Sequence, residues 1–491
     1  MKKLCTLLLS LMLLMTCGMN VALADDPVEL TIFLYAPAEF NPDNNPVVQA
    51  IEEACNVKLT FEIPPITNYD EKLNLMLVSG DYPDVILYSG HTAQAFLDSV
   101  EDGVIVPITD LVENAENIMN HTNSISLDAM RVDGEIYGIP RTSYMRVDGY
   151  AVRKDWLDNL GITINEEGMT QDEFRELLRA FTEDDPDGNG IDDTYGFVAS
   201  SGVIIPEAFG LAEWQMDETG EYYNTYMNLK DDNYYNALSY YGELYRAGYV
   251  VPESLTMDST TKNDMFYQGK VGVSGVFAGA MYSTTVTMQG FDPDAELVYL
   301  AGVTHDDGNI SGAGLGQGYW WLSAISADCE HPEAVVAMYD WLLSDEGWNL
   351  IKYGVEGVHY NMVDGERVAT EAFEEYAKYK GYFPGVVRRN DDPDYFVSAN
   401  APTEIRTKML AWLDLAASFV TPDKSMGYVT EASKALSLIN LDSEYEEICN
   451  GVILGNVTKE EWDDFKTRYF EAGYEAVQEE MNEYLKSVLG E

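Results

Sequence analysis

Apolar positions in the first ninety residues fall into short runs separated by stretches of helical spacing. Residues 30–35 and 57–63 read as strands, the second alternating with Val57, Leu59, Phe61 and Ile63 on one face. Residues 85–88 form a continuous apolar run of the kind seen in a buried parallel strand. Between these runs, Asn44-Asn45-Pro46 supplies a helix cap and a first-turn proline, and Val47, Val48, Ile51, Ala54 and Cys55 make the buried stripe. A second helix carries Leu73, Leu75, Met76 and Leu77 and ends at Gly80. Three strands alternating with helices predict an α/β fold on a parallel sheet with right-handed crossovers. Ligands of such sheets sit at the carboxyl ends of strands, here Tyr35-Ala36-Pro37 and Tyr88-Ser89-Gly90.

The same alternation restarts further on. Residues 155–161 predict a short helix closed by Gly161, and Thr170 with Glu173 is a capping box opening a helix with Phe174, Leu177, Leu178 and Phe181 inward. Residues 234–249 keep helical spacing up to Gly248, residues 271–277 and 297–303 read as strands, and 332–343 and 347–353 as helices. The tail, 458–489, predicts a final helical layer with Trp462, Phe465, Tyr469 and Leu485 on one side. Between the two sets lies the extended, aromatic-rich stretch 134–156, through which Pro140 forbids a helix. It reads as the hinge of a two-lobed protein, with ligand held where the lobes meet. A length of 491 residues also predicts two domains.

Composition narrows the partners. An apolar content of 46% describes a packed globular chain, while the net charge of −55 repels nucleic acid and anionic lipid and so excludes both as general partners. Residues 1–24 read as a secretory signal peptide: Lys2 and Lys3, an apolar run 4–15, and Ala22-Leu23-Ala24 before Asp25. The expected product is exported to the extracellular space or cell surface, with a lipid anchor at Cys17 as the alternative to cleavage after Ala24. Beyond the signal, Cys55, Cys329 and Cys449 are an odd number at wide spacing, neither a disulfide framework nor a metal site.

Two stretches carry candidate chemistry. Asp185-Pro186-Asp187-Gly188-Asn189-Gly190-Ile191-Asp192-Asp193 places oxygen side chains at positions one, three and five with glycine at six, like the start of an EF-hand loop. The expected ligands of a structural Ca2+ are Asp185, Asp187, Asn189, the Ile191 carbonyl and Asp193; position twelve is Gly196, so the bidentate glutamate of a sensor is missing. In the run 314–321, Gly314-Leu315-Gly316-Gln317-Gly318 precedes Tyr319, Trp320 and Trp321, which strand alternation would put on opposite faces. Catalytic motifs are wanting: the five histidines are scattered, and no nucleophile elbow, P-loop or dinucleotide fingerprint occurs in context.

Asp70-Glu71-Lys72-Leu73 through Ser79-Gly80-Asp81-Tyr82-Pro83-Asp84 resembles the signature of extracellular solute-binding protein family 1, the receptors of carbohydrate ABC importers (maltose-binding and LipO-type). The likeness continues through Asp133-Gly134, Tyr137-Gly138-Ile139-Pro140, Arg153-Lys154-Asp155-Trp156-Leu157, Phe266, Gly269-Lys270-Val271, Pro332-Glu333-Ala334 and Asp340-Trp341-Leu342. It implies a two-lobed, type II periplasmic-binding-protein-like fold, each lobe a sheet flanked by helices. The implied N-lobe is 27–142 plus 303–350 and the C-lobe 143–302 plus 351–491. The acidic loop is similar to that of alginate-type receptors, although Thr194 stands where those relatives carry an acid.

The resulting expectation is a non-enzymatic, monomeric receptor that closes on a carbohydrate, expected to be an oligosaccharide, and delivers it to ABC permease subunits. Its expected ligand-facing residues are Tyr35, Ser89, Arg141, Tyr144, Trp214, Phe277, Tyr319 and Trp320. Phe277 falls where the family carries its stacking tryptophan, and Arg388-Arg389 could receive an anionic sugar. The alternatives are a secreted glycoside hydrolase and a receptor for a non-sugar solute such as a peptide.

Overall fold

The computed structural model describes residues 26–65, 68–198, 205–305, 308–312, 318–398, 401–422, 424–425, 428–437 and 441–489. The signal sequence with Cys17, and residues 314–317 of the glycine-aromatic run, lie outside them. The chain forms two compact units: residues up to Leu87 with Glu101–Ile118 and Ser323–Val386, and Tyr88–Val100 with Met119–Leu322 and Val387 onwards. The stretch 134–156 therefore lies inside the second unit.

The principal strands are β1 (Val28–Phe33), β2 (Val57–Glu62), β3 (Val85–Tyr88), β4 (Ile139–Thr142), β5 (Gly149–Arg153), β6 (Tyr195–Val198), β7 (Val271–Val276), β8 (Leu297–Leu300) and β9 (Tyr319–Ile325). One sheet has the order β2-β1-β3-β9-β4, with β1 parallel to both β2 and β3 as the alternation predicts. The other has the order β8-β5-β7-β6, in which β7 runs parallel to β6 and antiparallel to β5.

In the first unit, α1 (Pro46–Cys55) starts where predicted. The Asn45 side chain accepts from the N–H groups of Val47 and Val48, and its amide donates to the Tyr379 hydroxyl at 3.0 Å. Phe40 packs on Phe61, Tyr379 and Phe383, so one aromatic cluster fixes the end of β2 against the chain near 380. Helix α2 (Tyr69–Ser79) ends at Gly80 as expected and buries only Tyr69 and Leu73, while Leu75 is 55% and Val78 87% exposed. A narrow edge suffices because the Tyr69 hydroxyl donates to the Leu87 carbonyl at 2.6 Å and ties the helix to β3.

In the second unit, α3 (Lys154–Leu160) ends on Gly161 in the left-handed region, and α4 (Gln171–Glu183) opens with both arms of the Thr170–Glu173 capping box. Helix α5 (Asn233–Arg246) buries Leu238, Tyr240, Tyr241 and Leu244. Trp156, Phe174, Leu177, Leu178 and Phe181 interlock in the main core. The Arg-Lys-Asp-Trp run now has a physical reading. Buried Arg153 is paired with Asp155 and, at 2.8 Å, with Asp292, and its guanidinium stacks on Trp156 at 4.9 Å. The tail is two helices, Lys459–Tyr469 and Glu475–Leu489, because Gly473 at φ +136° breaks the run between them.

Candidate ligand site

Strand β3 ends at Tyr88, and the chain turns through exposed Ser89 and half-buried Gly90 to His91. The His91 backbone N–H donates to the Tyr319 hydroxyl at 3.1 Å, and the same hydroxyl meets His91 Nδ1. Burial pulls the His91 pKa down to about 4, so the ring is neutral at physiological pH. Tyr319 itself is buried and its hydroxyl is held protonated by the same desolvation.

Strand β4 brings a second group to the start of β9. The Ser143 N–H donates to the Gly318 carbonyl at 2.8 Å, Arg141 Nε donates to the Trp320 carbonyl at 3.2 Å, and the Thr142 hydroxyl donates to the Arg388 carbonyl. Arg141, Trp320 and Arg388 are thereby gathered. Arg141 is buried, but Trp320 is 50% exposed and presents its indole to solvent. Beside it in the strand, Trp321 is half-buried. Trp321 adopts φ +63°, a left-handed conformation that costs on the order of 1 kcal/mol for a bulky residue.

The chain then passes Tyr144, whose hydroxyl donates to Asp414 at 3.0 Å; burial and that carboxylate push its pKa up to about 12. Arg146 is buried, bonds Asp148 at 2.7 Å and the Ser143 hydroxyl at 3.3 Å, and lies 3.9 Å over the Phe277 ring. One face of Phe277 is therefore covered by a cation. Gly279 fixes this arrangement. A Cβ there would stand 1.9 Å from the Phe396 carbonyl and 2.8 Å from the Phe277 ring.

Of the eight expected ligand contacts, Arg141, Tyr144, Phe277, Tyr319 and Trp320 belong to this linked set in the second unit, with Ser89 two residues from His91. Tyr35 belongs to the first unit and is buried edge-on against Tyr69 and Tyr382. Trp214 packs with Tyr222, Leu436, Val477 and Leu485, the surroundings of a core residue. His91, Arg146 and Asp414 escaped sequence reading. Only His91 carried a signal, its place directly after a strand end.

The acidic loop is knitted differently from the expected cation cage. Gly190 N–H donates to Asp185 at 3.1 Å, and the Asn189 amide bridges Asp187 at 2.7 Å and Asp193 at 3.2 Å. Asp193 turns its other oxygen to Lys270 at 2.6 Å, and that ammonium holds its carboxyl below the usual range. The Ile191 carbonyl accepts the Asp193 N–H at 3.2 Å. Among the described residues, no three His, Cys, Asp or Glu side chains are grouped to hold a metal ion. The donor set still suits one: three carboxylates and a carboxamide share a nine-residue loop, and an amide nitrogen bridges two of them as a cation would.

Compact α/β units with sheets flanked by helices are the fold of the two-domain solute-binding proteins. Residues 38–347 match the model of the bacterial extracellular solute-binding proteins, and the chain belongs to that family. It is 26% identical over 332 residues to the polygalacturonan/rhamnogalacturonan-binding protein YtcQ of Bacillus subtilis (strain 168), a match spanning 65% of this chain and 64% of that one. Among solved structures it resembles the S. pneumoniae ABC-transporter substrate-binding protein FusA in complex with kestose, with TM-score 0.71 and 18% identity over 94% of this chain and 99% of that one. It also resembles the alginate-binding protein AlgQ2 without calcium ion, with TM-score 0.70 and 21% identity over 94% and 98%. Among the described residues, no helix is long and apolar enough to cross a membrane.

Proposed function

We propose that this protein is the carbohydrate-binding receptor of an ABC importer, capturing an oligosaccharide and delivering it to permease subunits without chemical turnover. The observation that carries the reading is the half-exposed Trp320 indole, held by its own carbonyl to Arg141 and flanked by the Tyr319–His91 pair. A flat apolar face beside fixed polar groups suits a pyranose or furanose ring, whose C–H face stacks while its hydroxyls bond. Membership of a family of binding proteins supports binding over hydrolysis, and the names of YtcQ, FusA and AlgQ2 support a saccharide over a peptide. Export follows from the same reading, with cleavage after Ala24 or lipidation at Cys17.

Titration calorimetry with oligogalacturonides, rhamnogalacturonan fragments and kestose tests the proposal. The expected result is saturable binding to one class with the oligosaccharide recovered intact. Release of shorter sugars would give the hydrolase reading the case, and no heat from any sugar would remove the carbohydrate assignment. Trp320→Ala should weaken the sugar about tenfold, about 1.4 kcal/mol, while leaving the melting temperature within a degree or so of wild type.

Calcium in the 185–193 loop is part of the same proposal, supported by the loop's spacing and by a relative described by its calcium state. Asp185, Asp187, Asn189 and Asp193 would hold it with the Ile191 carbonyl, and the ion would brace the loop. Free calcium at about ten times its Kd should stabilise the protein by about 1.4 kcal/mol, reversed by chelator and absent in Asp187→Asn. Identical melting with calcium and with chelator would remove the metal from the account.

A further inference from the structure

The second unit holds a cavity of about 380 Å³ between α4 and α5, lined by none of the candidate ligand contacts described above. Its floor is aromatic: Phe209 and Tyr240, both buried, with ring centroids 5.8 Å apart at 52°. Along one wall, Asn233, Asn236 and Ser239 recur at three-residue spacing and share one face of α5. The backbone N–H groups of Asn233 and Asn236 are engaged, but the two amides and the Ser239 hydroxyl bond no group among the described residues. The facing wall is α4, where Gln171 Nε2 donates to the Ala208 carbonyl at 3.2 Å and the Tyr240 hydroxyl to the Gln171 backbone carbonyl at 2.7 Å. These bonds fix floor and wall to each other.

Charge decides what such a cavity can take. Among the described residues lining it, Arg175 is the one arginine or lysine, beside Glu243 and His305; it is already shared between Asp172 and, at 3.5 Å, Glu243, and its guanidinium lies 5.2 Å over the Tyr240 ring. No positive charge is left over for a phosphate or carboxylate, and a chain of net charge −55 opposes anions further. An apolar ligand would make no use of the two amides and the hydroxyl along this wall. What remains is a neutral molecule with one apolar face and many hydroxyls at its rim, and a carboxamide offers donor and acceptor to adjacent hydroxyls at once.

We propose that this cavity is a second carbohydrate site, taking a single neutral sugar ring packed against Phe209 and Tyr240 and bonded by Asn233, Asn236 and Ser239. It shares no lining residue with the Trp320 site and can fail separately from it.

Saturation-transfer NMR on the full mature protein tests it, using the methyl glycosides of galactose, glucose and rhamnose as probes at millimolar concentration. A saturable signal from at least one probe is expected, and it should persist in Trp320→Ala. In Asn236→Leu, an exposed position where the substitution leaves the fold intact, the same probe should bind about tenfold more weakly, and Ser239→Leu should behave alike. No saturable signal from any of the three would overturn the proposal. So would wild-type affinity in both α5 variants, or a signal that disappears in Trp320→Ala.

Discussion

Trp156→Ala should destabilise the second unit by about 4 kcal/mol, the range found when a fully buried large aromatic is truncated. Its indole is inaccessible to solvent, stands edge-on to Phe181 at 5.4 Å and 90°, and carries the Arg153 guanidinium on its face. Truncation leaves a cavity that Leu157, Phe174 and Leu178 cannot collapse to fill, since they are already packed against one another. It also strips apolar cover from Arg153, whose charge is otherwise buried beside Asp155. In urea unfolding followed by near-ultraviolet circular dichroism, the midpoint should fall by about 1 M or more, with the slope retained. Trp156→Phe should recover over half of the loss. A shift of less than a third of the expected one would mean the indole is not the keystone the packing makes it.

Glu207→Gln should change how stability depends on pH. Glu207 is fully buried, accepting from the Tyr150 hydroxyl at 2.6 Å and from the Val303 N–H at 3.4 Å, both on one oxygen. Burial pushes its pKa from 4.5 to about 7, and the two donors offset only part of that rise. In the window between these values the folded state keeps the proton that the unfolded state has released. Folded protein therefore binds more protons there, and stability falls as pH rises. The shift corresponds to about 3 kcal/mol lost between about pH 4.5 and pH 7 through this group alone. Glutamine keeps an acceptor for Tyr150 and Val303 but cannot ionise, so the variant should lack this component. Urea midpoints at pH 5, 6, 7 and 8 for both proteins measure the difference. Parallel profiles would show that Glu207 does not titrate in this window.

These two residues also mark the limits of reading the chain as text. Trp156 lies in a run whose family resemblance was legible, on a short helix predicted to close at Gly161. Glu207 gave no signal. An acid after proline in an 84-acid chain reads as surface, and only the approach of β5 and of Val303 encloses it.

The chain by itself determined the alternating α/β pattern, the parallel pairing of β1 with β2 and β3, the caps at Asn45 and Thr170, and the stops at Gly80 and Gly161. The pattern, caps and stops follow from periodicity and backbone preferences within a dozen residues, and the parallel pairing from the helices that cross over between the strands. It also carried the family. The tertiary structure alone decided which aromatics face solvent. Trp320 is half exposed, whereas Trp214 is sealed in a core and one face of Phe277 is covered by Arg146, because partners hundreds of residues away supply the contacts. It decided too that α2 needs only a narrow buried edge, since the Tyr69 hydroxyl ties it to β3, and that Lys270 claims an oxygen of Asp193. Local spacing states what a side chain can do, and burial by distant segments selects which of those things it does.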